Sequence, residues 1–306
     1  MAEKIVINEV GLRDGLQMQP KFVSTEGKLE LARALLDAGV TSFEASSFVS
    51  PKAVPQMADA SDVFAGLPPR DDVDYWALVP NEKGFDRAVE AGVRNIAVVL
   101  SVTDTMNREN INMSVAESAA VFERVLARCQ AEGLRSRAYV AVAFVCPFEG
   151  VTPVDTVVKW TDVMLSAGAE KVAIADTIGA GTPTQCKDLM STLVGKWGPE
   201  RFALHLHDTQ AMALTLAWVG AQEGVRTFDS SIGGLGGCPF APGAAGNVAT
   251  EDLVFMFESS GFETGIDIGG LRRAVKVAER LTGLELGGRI TKYLRSQEAK
   301  AAQAAE

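Results

Sequence analysis

His205 and His207 are the only two histidines in a chain of 306 residues, and they sit two positions apart in the apolar stretch RFALHLHD. On a β-strand, residues i and i+2 point to the same side, so both imidazoles would face one way. That leaves two readings open: a two-pronged nitrogen grip on a cation, or two histidines on a half-buried strand satisfied by nearby carbonyls. Other candidate ligands decide whether the first is worth pursuing. Asp14, in GLRDGLQ, is either a turn aspartate before glycine or an oxygen ligand. With His205, His207 and the amide oxygen of Asn247 it would make a mixed site with positions left open for water or substrate. Such a set suits Mg²⁺ or Mn²⁺ better than a closed zinc site, although imidazoles also take Zn²⁺, Co²⁺ and Ni²⁺.

Three more residues could do chemistry beside that site. Arg13 offers a permanently charged donor fork suited to a developing enolate or carbonyl oxygen; its structural alternative is a salt bridge to Glu44 or Glu9. Glu44 interrupts an apolar run and needs a partner or a function, because an unpaired buried carboxylate is costly. Cys238, in LGGCPF, stands on a glycine loop, either incidental or able to pass a proton.

These residues are scattered, so the elements that carry them matter. Short β-branched runs alternate with amphipathic helical stretches, the pattern of βα units on a parallel sheet. Eight strands are expected, at 4–10, 41–46, 73–79, 94–101, 137–144, 171–176, 202–207 and 227–232. The motif AG(V/A) recurs before the second, fourth and sixth. Eight such units in about 230 residues, with no linker between them, predict a (β/α)8 TIM barrel over residues 1–285, with extra C-terminal helices at 250–260 and 269–283. Residues 286–306, Ala-rich, read as a frayed helix or disordered tail. An open doubly wound sheet is the competing fold, but no G-x-G-x-x-G follows the first strand. The barrel makes a demand: functional residues belong at the C-terminal ends of strands. Arg13, Asp14, Glu44, Asp176, Thr177, His205, His207, Cys238 and Asn247 all fall there.

Composition excludes other classes. A net charge of −10 with no Lys/Arg-rich run argues against nucleic acid and against an anionic membrane surface. No apolar run approaches the ~20 residues of a membrane span, and the strand-like opening MAEKIVINEV does not read as a signal peptide, so a cytoplasmic location is expected. Four cysteines with no C-x-x-C read as free thiols.

The stretches GLRDGLQ, FEASSFVSPKAVPQM, VPNEKGF, CPFEG, DTIGAGTP, HLHDT and DSSIGGLGGCPFAPGAAGNVATEDLV, in that order over residues 4–285, resemble the hydroxymethylglutaryl-CoA lyases of the DRE-TIM metallolyase superfamily. The SFVSPK…VPQM segment and the GLGGCPFA loop mark the lyase branch; related synthases carry additional C-terminal domains. The resemblance implies that Asp14, His205, His207 and Asn247 hold a divalent cation, that Arg13, Glu44 and Cys238 are catalytic, and that His205 partners Cys238 in a proton relay. Asp176 is placed with the catalytic residues, and Gln17, Thr177 and Gln210 with the substrate-binding ones. The implied reaction is retro-Claisen cleavage of a 3-hydroxy-3-methylacyl-CoA to acetyl-CoA and a keto acid, by a homo-oligomer. One departure stands out. After HDT the family continues with an aromatic residue and Gly-Gln-Ala, where this chain has Gln210, Ala211, Met212 and Ala213. That keeps citramalyl-CoA beside hydroxymethylglutaryl-CoA as a substrate. A same-superfamily aldolase and a barrel that only binds its ligand are the other readings.

Overall fold

Runs of alternating apolar residues pair side by side only if both faces of the resulting sheet are covered, and here the sheet closes on itself. The computed structural model describes residues 2–237 and 246–305. Strands β1 (Val6–Glu9), β2 (Ser42–Ser47), β3 (Asp74–Leu78), β4 (Asn95–Ser101) and β5 (Arg135–Ala141) come first. A separate antiparallel hairpin follows, β6 (Val145–Cys146) and β7 (Gly150–Val151), and then β8 (Lys171–Asp176), β9 (Phe202–Leu206) and β10 (Thr227–Ser230). The eight barrel strands are parallel, in the order β1-β10-β9-β8-β5-β4-β3-β2, and pairing of β1 with both β10 and β2 closes the ring. Closure rules out the open sheet.

Around it run α1 (Thr25–Asp37), α2 (Ala60–Gly66), α3 (Glu82–Glu90), α4 (Asp104–Ile111), α5 (Val115–Ala131), α6 (Val154–Ser166), α7 (Pro183–Trp197) and α8 (Ala213–Gln222). Their starts are written in the sequence: Ser114 with Glu117, and Thr182 with Gln185 behind Pro183, form reciprocal capping boxes at α5 and α7. The AG(V/A) echo is the matching stop signal. Gly39 and Gly92 follow α1 and α3 at φ 95° and 79°, left-handed backbone that glycine adopts without strain.

The main core lies between barrel and helices, where Phe43, Phe202, Phe228 and Leu204 point outward and are fully covered. Inside the barrel the apolar filling is small, with Ala97, Ala173 and Ala203 around Leu78 and Tyr139. The room left is taken by polar side chains. The β2–β3 register slips between Glu44 and Ser46, a bulge of the kind that re-aims side chains near sites.

One expectation changes and another narrows to a single reading. The fifth strand ends at Ala141 instead of running to 144, because Val142 turns to φ 53°, an uncommon conformation for a β-branched residue. Its N–H donates to Thr177 Oγ1 at 2.7 Å, and its carbonyl accepts from Thr152 Oγ1 at 2.7 Å. The tail, left open between a frayed helix and disorder, takes the helical reading. After α9 (Thr250–Ser259) and α10 (Ile268–Thr282), residues Arg289–Ala305 form α11. Asp252 caps its start by accepting from the N–H groups of Arg289 (2.7 Å) and Ile290 (2.8 Å), and Arg295 pairs with Glu279 at 2.8 Å. Among the described residues no helix is long and apolar enough to cross a membrane.

Candidate active site and metal centre

After β1 the chain makes one π-helical turn, Gly11–Gly15, that carries Arg13 and Asp14. Space dictates the first glycine: a Cβ on Gly11 would lie 2.5 Å from the Glu9 carboxylate. Glu9 is fully buried and fastens the turn. Its Oε1 accepts from the N–H groups of Gly11 (2.8 Å) and Ile232 (2.9 Å), and its Oε2 from the Thr250 hydroxyl (2.6 Å). The loops after β1 and β10 are thereby tied to one carboxylate. Burial pushes that carboxyl up to about 7, against its three hydrogen bonds.

Two strands along the ring, His205 on β9 and His207 just past its end are both buried, with ring centroids 5.3 Å apart. Asp14, His205 and His207 each offer a ligand atom within 4.8 Å of the others, and His207 Nε2 lies 3.7 Å from Asp14 Oδ2. Asn247, bridged through its backbone to His207, donates Nδ2 to Asp14 Oδ2 at 2.7 Å, so half a turn of the amide would bring its oxygen to the same place. One carboxylate and two imidazoles facing a cavity suit a divalent cation with open positions. Burial alone would raise the Asp14 carboxyl, but the Arg13 guanidinium and the two imidazoles outweigh it and hold the group well below the usual carboxylate range.

Arg13 is clamped. Its Nη1 meets Asp14 Oδ1 at 2.5 Å, and its Nε donates to Glu44 Oε1, which chooses Glu44 over Glu9 as its salt-bridge partner. The other Glu44 oxygen accepts the Tyr139 hydroxyl. Burial drives the Tyr139 phenol well above its ordinary range, so it donates as a neutral group. Arg13, Asp14, His205, His207 and Tyr139 line a cavity of about 500 Å³, whose far side is apolar, with Leu78, Val99, Met106, Ile111 and Val121.

The HMGL-like family model matches residues 4–277. The chain belongs to that family. It is 38% identical over 294 residues to a hydroxymethylglutaryl-CoA lyase of Bacillus subtilis, covering 96% of this chain and 98% of the relative. It is 40% identical over 274 residues to the human mitochondrial hydroxymethylglutaryl-CoA lyase, covering 90% and 84%. Among solved structures, the HMG-CoA lyase of Acinetobacter baumannii in complex with coenzyme A and 3-methylmalate superposes with a TM-score of 0.90 at 39% identity, covering 94% of each chain. The carboxyl transferase domain of Rhizobium etli pyruvate carboxylase, at 16% identity and TM-score 0.69, shares the fold over 94% of this chain and 49% of that one.

In this HMGL-like chain the remaining candidates separate. Gln17 and Thr177 line the cavity, and Gln17 Oε1 is buried without a hydrogen-bond partner among the described residues. Asp176 neighbours His207 without lining the cavity, and its oxygens accept from the N–H groups of Ala180 (3.1 Å) and Gly181 (2.9 Å), which braces the loop after β8. Gln210 is exposed, as are Ala211 and Met212, and none of the three lines the cavity. The departure from the family pattern therefore lies on the surface at the start of α8. Cys238 lies outside the described residues. Cys129, Cys146 and Cys186 are buried free thiols.

Sequence reasoning missed three residues beneath the site. His205 Nδ1 lies 3.1 Å from Asp229 Oδ2; Arg137 Nη2 reaches both Asp229 oxygens at 2.9 and 3.0 Å, and Asn8 Nδ2 donates to Oδ1 at 3.0 Å. The only signal available was an Arg and an Asp inside apolar strands, which register alone could bring together.

Proposed function

We propose that this protein is a divalent-metal-dependent carbon–carbon lyase that cleaves 3-hydroxy-3-methylglutaryl-CoA to acetyl-CoA and acetoacetate. One observation carries the reading: Asp14, His205 and His207 converge with the clamped Arg13 on one cavity, in a chain of the HMGL-like family. Asp14, His205 and His207 would hold the cation, with Asn247 as a fourth ligand. Mg²⁺ or Mn²⁺ there would supply a Lewis acid for the substrate's oxygens.

The chain's own groups account for the rest. The tertiary hydroxyl of the substrate loses its proton, the C–C bond breaks toward the thioester, and negative charge develops on the thioester oxygen. Arg13 is the described cation placed to receive that charge, and its two carboxylate partners keep it from swinging away. A proton delivered to the enolate carbon completes acetyl-CoA, and Cys238 is our candidate donor. Nδ1 of His205 faces Asp229 and the ring offers a ligand atom to the cluster, and we keep His205 as the candidate partner of Cys238 in that proton relay. We take the assembly to be a cytoplasmic homo-oligomer.

The deciding experiment is a panel of 3-hydroxyacyl-CoA thioesters with added Mg²⁺ or Mn²⁺, both products identified, before and after chelation. Hydroxymethylglutaryl-CoA should be the best substrate, with turnover lost on chelation and restored by either cation. Faster release of pyruvate from citramalyl-CoA would move the assignment to that substrate. Cleavage of free hydroxy acids would replace the lyase with an aldolase, and full turnover after chelation would remove the cation from the reaction.

A further inference from the structure

We propose that Asp229, held by Arg137 and Asn8, is a positioning residue that fixes which nitrogen of His205 faces the cation. The inference rests on the reading of Asp14, His205 and His207 as ligands and adds what makes one of them competent.

Strand register builds the arrangement. Asn8 on β1 is opposite Asp229 on β10, and Asp229 is opposite His205 on β9, so three neighbouring strands place these side chains in one row inside the barrel. Arg137 comes in from β5, its guanidinium 4.6 Å from the Tyr139 ring centroid, and spans both oxygens of Asp229. All four residues are buried.

Every described contact of Asp229 arrives from a nitrogen. Oδ1 faces Asn8 Nδ2 and Arg137 Nη2, while Oδ2 faces Arg137 Nη2 and His205 Nδ1. A carboxylate so surrounded accepts and never donates, so Nδ1 of His205 carries the proton and Nε2 keeps its lone pair. An imidazole in the opposite tautomer would point an N–H at the place where Asp14 and His207 converge.

Asp229→Asn reverses the instruction. Asn8 and Arg137 both donate, so they keep the amide oxygen and turn the amide nitrogen toward His205. Its Nδ1 must then accept, which moves the imidazole proton to Nε2.

Because the chain has only two histidines, selective ¹⁵N-histidine labelling reports each ring directly, read above the ordinary imidazole pKa of about 6.5. The metal-free wild type should show His205 protonated at Nδ1. Asp229→Asn should show it protonated at Nε2 and bind Mn²⁺, titrated calorimetrically, about 10- to 100-fold more weakly, the usual cost of losing such a partner. The mutation also leaves Arg137 as a buried charge without its carboxylate, which can prevent folding. Asp229→Asn combined with Arg137→Met removes both charges and should give the same two readouts. A wild type protonated at Nε2, or variants that keep tautomer and Mn²⁺ affinity within twofold, would overturn the proposal. Wild-type protein with the expected tautomer that takes up no Mn²⁺ would instead overturn the ligand reading on which it rests.

Discussion

At the scale of single residues, position along the chain says more than type. Arg13, Asp14 and the histidine pair were legible because polar groups at or just past the ends of strands have few structural reasons to be there, and Glu44 because a carboxylate with no visible partner interrupts its run. Arg137 and Asp229 were not, since a charged residue in mid-strand reads as ordinary alternation until register puts an opposite charge beside it, 92 residues away in sequence. Tyr139 was hidden inside the strand run RAYVAVAF. Cys238 gives the residue-scale prediction. If it delivers the proton, Cys238→Ser should lower kcat by ~10² or more while leaving the melting temperature and bound cation unchanged, since the usual loss for a missing acid or base is of that size. A kcat within a factor of two of wild type would return it to an ordinary loop cysteine.

At the scale of elements, helix starts and stops are encoded locally: Ser114, Thr182 and the AG(V/A) glycines act within a few residues of themselves. The end of β5 was not readable. Val142 leaves the strand because hydroxyls from Thr177 and Thr152 take its N–H and carbonyl, and both partners come from later in the chain. The turn between β9 and α8 shows a residue in the wrong conformation for its type. Ala211 sits at φ 58° and is exposed, at the position where the family pattern has glycine. Left-handed backbone costs a non-glycine residue roughly 1–2 kcal/mol, partly offset by the extra freedom glycine gives the unfolded chain. Ala211→Gly should therefore stabilise the protein by about 0.5–1 kcal/mol in urea unfolding, with the ratio of activities on the two candidate thioesters unchanged. A lower unfolding midpoint would show that the conformation carries no strain.

At the scale of the whole molecule, the barrel was predictable from repetition, while the polar filling of its interior depended on contacts no local pattern encodes. A buried carboxylate on the other face of β1 gives stability a pH dependence. The folded-state carboxyl of Glu9 lies near 7, above the ordinary value of 4.5, so its contribution is fully present below about pH 4.5 and is lost as pH rises through 7. The loss is on the order of 3 kcal/mol at most. Glu9→Gln keeps an oxygen for Gly11 and Ile232 and removes the titration. Its melting temperature should fall less than that of the wild type between about pH 5 and pH 7, and parallel curves would show that Glu9 does not titrate in this window.

The closing of β1 onto β10 also sets a schedule. Asp14 and Asn247, hydrogen-bonded in the finished protein, are 233 residues apart in the chain. A ribosome therefore releases the carboxylate of the centre long before its imidazoles, and nothing made in between can complete the set. Such long-range contacts form late, because the loop must close before they reward it. With the proposed ligand set, cation uptake would mark the end of folding: the site is incomplete until the last barrel strand has met the first.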